Sequence, residues 1–255
     1  MIIYNISSGS KGNCTILIQD SDVIVIDFGI SKKRVVSALE KYSFQFEDVK
    51  AFLVTHDHSD HASNIFSAPI EKIYASTLTL PKLDAPINKD HLLLPHKEIN
   101  IGKFNINPIP LSHDAKNTIG FVINCGDEKL VYITDTGFVA EKEFPLLKNA
   151  NYYFFESNYD PKMLYESKRP DYLIKRIISD KGHLSNADCG YYICTLMGNN
   201  TKEVILAHLS QECNTEEIAL KTFESVCQTQ LGYIPDFEVK TASIFHETIG
   251  GKDGN

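Results

Sequence analysis

An apolar run, Ala51 to Val54, stops at Thr55 and is followed within six positions by His56, His58, Asp60 and His61, with Asp57 and Ser59 between them. A buried strand that ends in three imidazoles and two carboxylates is not arranged for packing. Whatever fold the chain adopts must bring that strand end to a place where donor atoms are useful. Neutral imidazole and carboxylate are ligands of zinc and similar divalent ions. His56 and His58 are two apart, so on an extended segment they point the same way. Asp60 and His61 come just beyond, where the chain can turn and present a second pair. That arrangement suits two adjacent metals rather than one. A solvated histidine-rich loop, the bland alternative, has no reason to follow directly on a buried strand.

A two-metal site needs further donors, and three positions share the same grammar. His113 in PLSHDA follows the run INPIPL; Asp135 in VYITDTG and His208 in VILAHLS each end an apolar strand. In each case a strand delivers one potential ligand at its C-terminal end, where α/β scaffolds usually build their sites. His91, His96 and His246 lack this pattern and read as surface or supporting residues.

The rest of the chain has to fold around that edge. Short β-branched runs at 2–6, 14–19 and 23–27 are separated by Gly, Ser and Asp turns, and further strands are expected at 51–54, 72–75, 103–109, 119–123, 129–134, 151–156 and 203–207. Ser31 can cap a helix carrying Val35, Ala38, Leu39 and Tyr42; Asn186 can cap one running to Gly198; Asn214 with Glu217 can open another that ends near Gly232. Two groups of strands, each followed by helices, predict an α/β (α+β) fold of two packed sheets covered outside by helices. With 255 residues and 43% hydrophobic content, a single domain over 1–250 with a frayed tail at 251–255 is expected. No apolar run approaches the length of a membrane span and no signal-like segment opens the chain, so a cytoplasmic location without membrane contact is expected. The six scattered cysteines read as reduced, mostly buried thiols. A formal charge of −8 argues against a generic nucleic-acid coat but not against a nuclease, because bound cations add local positive charge.

The ordered set His56-x-His58-x-Asp60-His61, His113, Asp135 and His208 resembles the metallo-β-lactamase fold superfamily along the whole chain. SSGSKGNCT, VTHDHSDH, LSHDA, TDTG, FESNYD, IKRIISDKGHLSN and LAHLSQECN extend the likeness to the YycJ (WalJ) family of bacterial metallohydrolases. The resemblance implies a four-layer αβ/βα sandwich with the metals at one end between the sheets. It implies that His56, His58 and His113 hold a first ion, that Asp60, His61 and His208 hold a second, and that Asp135 bridges them. Zinc is the expected metal, with manganese or iron as alternatives. Two such cations would lower the pKa of a shared water toward neutrality, making a metal-bound hydroxide the nucleophile, and clamp the attacked group. Asp60 would help to orient that water.

The same resemblance bears on substrate. GHLSN is similar to the GHSS-type segment of ribonuclease Z enzymes, in which a histidine pairs with a glutamate; here these would be His183 and Glu156. A carboxylate against an imidazole favours the protonated, oriented ring, as a general acid for an alkoxide leaving group requires. Ser185 and Asn186 of that segment, and Ser8 in SSGSKGN, are expected to touch substrate, although the last segment equally suits an ordinary hairpin loop. Asp27 in VIVIDFG reads either as a support for the site or as a turn aspartate. Between Pro161 and Gly182, Lys162, Lys168, Arg169, Lys175, Arg176 and Lys181 face three acids, either a solvated helix face or a strip suited to a polyanion backbone, with Lys175 and Arg176 expected to touch it. Only 22 positions separate His113 from Asp135 and 48 separate Asp135 from His183, which leaves no room for a tRNA-gripping arm or a β-CASP cap. The resemblance therefore implies a compact phosphodiesterase, a DNA exonuclease of 5′-to-3′ polarity. The rivals are a small cyclic phosphodiesterase or another hydrolase on the same scaffold, a di-iron redox protein (against which His58 speaks), and a binding module without activity.

Overall fold

The computed structural model describes residues 1–79 and 89–252. Its first sheet begins with an antiparallel meander of β1 (Ile2–Ser7), β2 (Cys14–Gln19) and β3 (Asp22–Ile26). β4 (Ala51–Leu53) and β5 (Ile73–Tyr74) then add in parallel. The second sheet opens with β6 (Ile99–Ile101), β7 (Phe104–Pro110), β8 (Ile119–Cys125) and β9 (Glu128–Ile133), again antiparallel. It continues in parallel through β10 (Tyr152–Glu156), β11 (Glu203–Ala207) and β12 (Glu238–Thr241). β13 (Thr248–Gly251) returns to pair with β1.

The strands are apolar almost throughout because both of their faces are covered. In β3, Ile24 and Ile26 point between the sheets while Val23 and Val25 point outward. In β10, Tyr152 and Phe154 join the same inter-sheet core while Tyr153 and Phe155 face out. α1 (Lys32–Glu40) covers the first sheet through Val35, Ala38 and Leu39. Short helices α2 (Ser59–Ala62), α3 (Phe144–Leu147), α4 (Pro161–Glu166) and α5 (Asp171–Ile177) follow the strand ends. α6 (Asn186–Leu196) and α7 (Glu216–Leu231) cover the second sheet with Cys189, Ile193, Ala219 and Phe223. The result is the four-layer αβ/βα sandwich. The six thiols are free, and five of them are buried.

Four expectations shift in detail. α6 is capped by Ser185 rather than Asn186: the Ser185 hydroxyl accepts the Asp188 N–H at 3.1 Å. α7 is capped by Thr215 rather than Asn214, and Ser31 precedes α1 without a capping hydrogen bond from its side chain. The tail is held through Gly251, since that residue pairs with Ile2; residues 253–255 lie outside the described ones. β3, β4, β7, β9, β10 and β11 all run toward one end of the sandwich, and the site forms there.

Candidate metal centre

β4 runs out at Leu53, and the chain after Thr55 presents the opening motif. His58 stands at the N-cap of α2, whose single turn carries Asp60 and His61 back toward the sheet. From the second sheet, His113 follows β7, Asp135 follows β9 and His208 follows β11. Asp27, Asp135 and His208 all have left-handed backbones, with φ of 60°, 57° and 57°. That conformation is uncommon outside glycine. Here it bends the chain at the moment a strand reaches the site.

These residues converge. His56, His58 and His113 each offer a nitrogen within 4.8 Å of the others, as do the donors of Asp60, His61 and His208. Asp135 lies between the groups: its Oδ2 is 2.9 Å from His61 Nε2, and its Oδ1 is 3.8 Å from His113 Nε2 and 3.4 Å from His208 Nδ1. The chain holds the rings by one nitrogen. His113 Nδ1 donates to the Gly182 carbonyl at 3.0 Å, His61 Nδ1 to Asp27 Oδ2 at 2.7 Å, and His208 Nδ1 to Glu156 Oε1 at 3.0 Å. His56 Nδ1 meets Thr55 Oγ1 at 3.0 Å. Nε2 of His56 and of His208 is buried without a hydrogen-bond partner. A ring pinned at Nδ1 with an unpartnered, buried Nε2 is how proteins present imidazole to a metal, and the residues fit divalent ions.

The electrostatics agree. Burial opposes charge on His208, yet Asp135, Asp60 and Glu156 together raise its pKa to about 10. Burial likewise opposes a proton on His61, and Asp27 and Asp135 overcome it. Asp135 is pushed up by burial but held well below the carboxylate range by His208 and His61. Burial pushes His56 and His113 the other way from His61 and His208, toward the neutral ring that a metal ligand needs.

Beside the cluster, His183 Nδ1 lies 2.7 Å from Glu156 Oε1, whose other oxygen accepts the N–H groups of Thr136 (2.9 Å) and Leu184 (3.2 Å). Gly182 makes this placement possible: a Cβ there would stand 2.0 Å from the Ile177 carbonyl oxygen. A cleft of about 230 Å³ opens onto His58, Asp60, His113, Asp135, His183 and His208, and Arg169 and Arg176 also line it.

Not every expected contact reaches the cleft. Ser8 is buried, its hydroxyl accepting the His208 N–H at 2.8 Å. Ser185 is spent on its cap, and Asn186 is buried between Ser157 and Asn214. These three build the wall, and none of them lines the cleft; Ser10 and Ser210 do. Lys175 is exposed beyond the rim. Asp27 proves to be the support for His61 and also accepts from Thr55 N–H at 2.9 Å. Sequence reasoning missed Asn13, whose Nδ2 donates to Asp60 Oδ2 at 3.2 Å; Asn158, which donates to the His208 carbonyl at 2.7 Å; and Asp114, 3.6 Å from His58 Nε2 and paired with Arg176. Each lies in a segment that carries the family likeness, SSGSKGNCT, FESNYD or LSHDA, but no spacing in the sequence ties it to its partner. His91 instead stacks on Tyr74, while His246 pairs with Glu216 and His96 lies near Glu143.

Residues 22–209 match the family described as "Beta-lactamase superfamily domain". The chain is 32% identical over 251 residues to exodeoxyribonuclease WalJ of Streptococcus pneumoniae serotype 2, covering 93% of each protein. The chain belongs to the metallo-β-lactamase superfamily. Within it, exodeoxyribonuclease YycJ of Bacillus anthracis is 29% identical over 254 residues, covering 95% of this chain and 93% of that one. The metallo-β-lactamase fold protein YhfI of Bacillus subtilis superposes with a TM-score of 0.71 at 17% identity, covering 98% and 99% of the two chains. As a member of this superfamily the protein is a metal-dependent hydrolase, and the His/Asp cluster offers the kind of donors that a divalent metal takes.

Proposed function

We propose that the protein is a dinuclear-metal phosphodiesterase that degrades DNA from an end in the 5′-to-3′ direction. The observation that carries this reading is the His183–Glu156 pair beside a cleft lined by five of the seven metal-type donors, with His56 and His61 buried behind them. Divalent ions held by His56, His58 and His113, by Asp60, His61 and His208, and by Asp135 between them would acidify a water and draw charge from the attacked phosphorus. Zinc suits these donors best, and manganese or iron suits them as well.

The chain's own residues supply the rest. Burial works against ionisation of Glu156, but His183 and His208 hold it as a carboxylate. Glu156 therefore fixes the His183 proton at Nδ1 and leaves Nε2 to face the departing sugar oxygen, to which it delivers a proton. Burial also opposes ionisation of Asp60, yet His208 and His61 keep it charged, an acceptor able to orient the attacking water. Arg169 and Arg176 offer guanidinium groups to neighbouring phosphates. The exodeoxyribonuclease names of the relatives favour DNA over a small diester. We place the enzyme in the cytoplasm: its thiols are free, and no helix among the described residues is long and apolar enough to cross a membrane.

The test is to load the purified protein with zinc or manganese and supply linear DNA labelled at either end, RNA, and a chromogenic bis-nitrophenyl phosphodiester. Progressive release of nucleotides from the 5′ end is expected, together with hydrolysis of the chromogenic diester. Cleavage of RNA alone, or of no diester with either metal, would overturn the reading.

A further inference from the structure

The cleft is smaller than the ligand it is asked to serve. Its volume of about 230 Å³ lies below the roughly 300–1,000 Å³ usual for pockets that enclose a drug-sized ligand. A phosphate and its sugar fit; the attached base reaches either the rim or the adjoining groove of about 580 Å³. One side of that rim is α5, whose Leu173, Arg176 and Ile177 line the cleft. At about 100° per residue, Tyr172 stands some 40° further round the helix than Arg176, on the side turned away from Ile177. Lys175 follows about 60° beyond it. Tyr172 is 73% exposed and is flanked on the helix surface by Lys175 and by Arg176, which also pairs with Asp114. Arg169 and Leu173 are also shared with an adjoining groove lined by Ser167, Lys168, Pro170 and Glu212, so the cleft leads on into a second basic channel. Arg169 is steadied at its mouth by Glu212, 3.0 Å away. In a chain of net charge −8, a ring set among cations at the exit of a phosphate-sized cleft has the composition of a single-strand binding surface.

We propose that Tyr172 is a stacking platform for the base of the nucleotide bound at the cleft, with Arg176 and Arg169 holding the adjacent phosphates, so that the enzyme takes its DNA as a single strand. The proposal rests on the phosphodiesterase reading and adds the form of the substrate. Base pairing would deny the base to the ring, so a duplex end must open by at least one pair before it can be cut.

The test is binding of a short phosphorothioate oligothymidylate to the metal-loaded protein, followed by fluorescence anisotropy. Tyr172→Ala is expected to weaken binding about ten- to hundredfold, the usual worth of one stacked base, and Tyr172→Phe to restore it. An abasic residue moved along the oligonucleotide should weaken binding to the unaltered protein at one position and have no effect there on Tyr172→Ala. Equal affinity of Tyr172→Ala and the unaltered protein, a Phe variant as weak as the Ala variant, or a flat abasic scan would each overturn it. Hydrolysis of the chromogenic diester by the unaltered protein separates the two levels. An active enzyme indifferent to Tyr172→Ala overturns the stacking alone, whereas inactivity on every diester overturns the parent reading as well.

Discussion

The floor of the cleft and its rim are built on opposite plans. On the floor the rings of His56, His61, His113 and His208 are held through Nδ1, and these four and Asp135 are all buried. Tyr172 and Arg176, on the rim, share a two-turn helix with Lys175, just beyond the rim; all three are exposed, and Arg176 is tethered by Asp114. Chemistry that depends on placing charge within fractions of an ångström is given to groups that cannot move, whereas contact with a polymer of varied sequence is given to groups that can. The floor should therefore fail abruptly under substitution and the rim by degrees.

The largest effect is expected from Asp135→Ala, which removes the donor shared by both groups. Loss of a residue supporting a ligand typically weakens metal affinity by about 10–100-fold, and this ligand should matter more: nuclease activity should fall to background and metal content with it. An Asp135→Ala protein that keeps its full metal content would show that the two groups do not depend on a shared carboxylate.

His183→Ala comes next. It should retain metal, because His183 stands outside the seven donors, yet lose about 10²–10⁴-fold on DNA. The loss should shrink on a nitrophenyl diester, whose leaving group needs little protonation. Metal loss, or equal damage to both substrates, would make His183 part of the floor rather than the acid. Glu156→Gln is a less clean probe, since Glu156 Oε1 touches both His183 (2.7 Å) and His208 (3.0 Å). It should lower both rate and metal affinity.

A subtler test of the floor is Asp27→Asn. The amide keeps the shape but weakens the hold on His61, so metal affinity should drop about 10–100-fold and activity should return when metal is added in excess. No response to added metal would leave Asp27 a purely structural residue. The mildest case is the rim itself. Replacing Lys175 and Arg176 together by Ala should reduce the slope of log affinity against log salt by about 1.4 on single strands, at roughly 0.7 for each phosphate that is no longer neutralised. An unchanged slope would remove both from the DNA path.

The floor was far more legible in the sequence than the rim. Every buried donor except His61, which α2 carries back, follows closely on an apolar strand, because a strand that must be buried to its last residue leaves a sharp hydrophobic boundary. What supports the donors was not announced. Asn13 reaches Asp60 and Asn158 reaches His208 across the fold, and a lone asparagine carries no periodicity to betray its partner. The caps slipped by one residue for a related reason. Asn186 and Asn214 are taken up with each other and with the carbonyls of Ser157 and Asn158, leaving the capping to the hydroxyls of Ser185 and Thr215. The strands that carried no clear signal, β6, β12 and β13, are all sheet edges. An edge strand buries less on each face, so its apolar pattern is diluted, as in Glu238–Thr241 with one buried residue of four.

The left-handed backbone at Asp27, Asp135 and His208 gives these positions an unusually short alphabet. Outside glycine, that conformation is adopted mostly by Asn, Asp and His. At 135 and 208 a bound metal would impose a second filter, for a negative oxygen or an imidazole nitrogen, and at 27 the His61 ring imposes one, for a charged acceptor. Only aspartate and histidine pass both. A glutamate at 135 would keep the charge and forfeit the bend; a glycine would keep the bend and forfeit the donor. Backbone geometry and coordination chemistry thus spell these positions with the same two letters, and drift at them has almost nowhere to go.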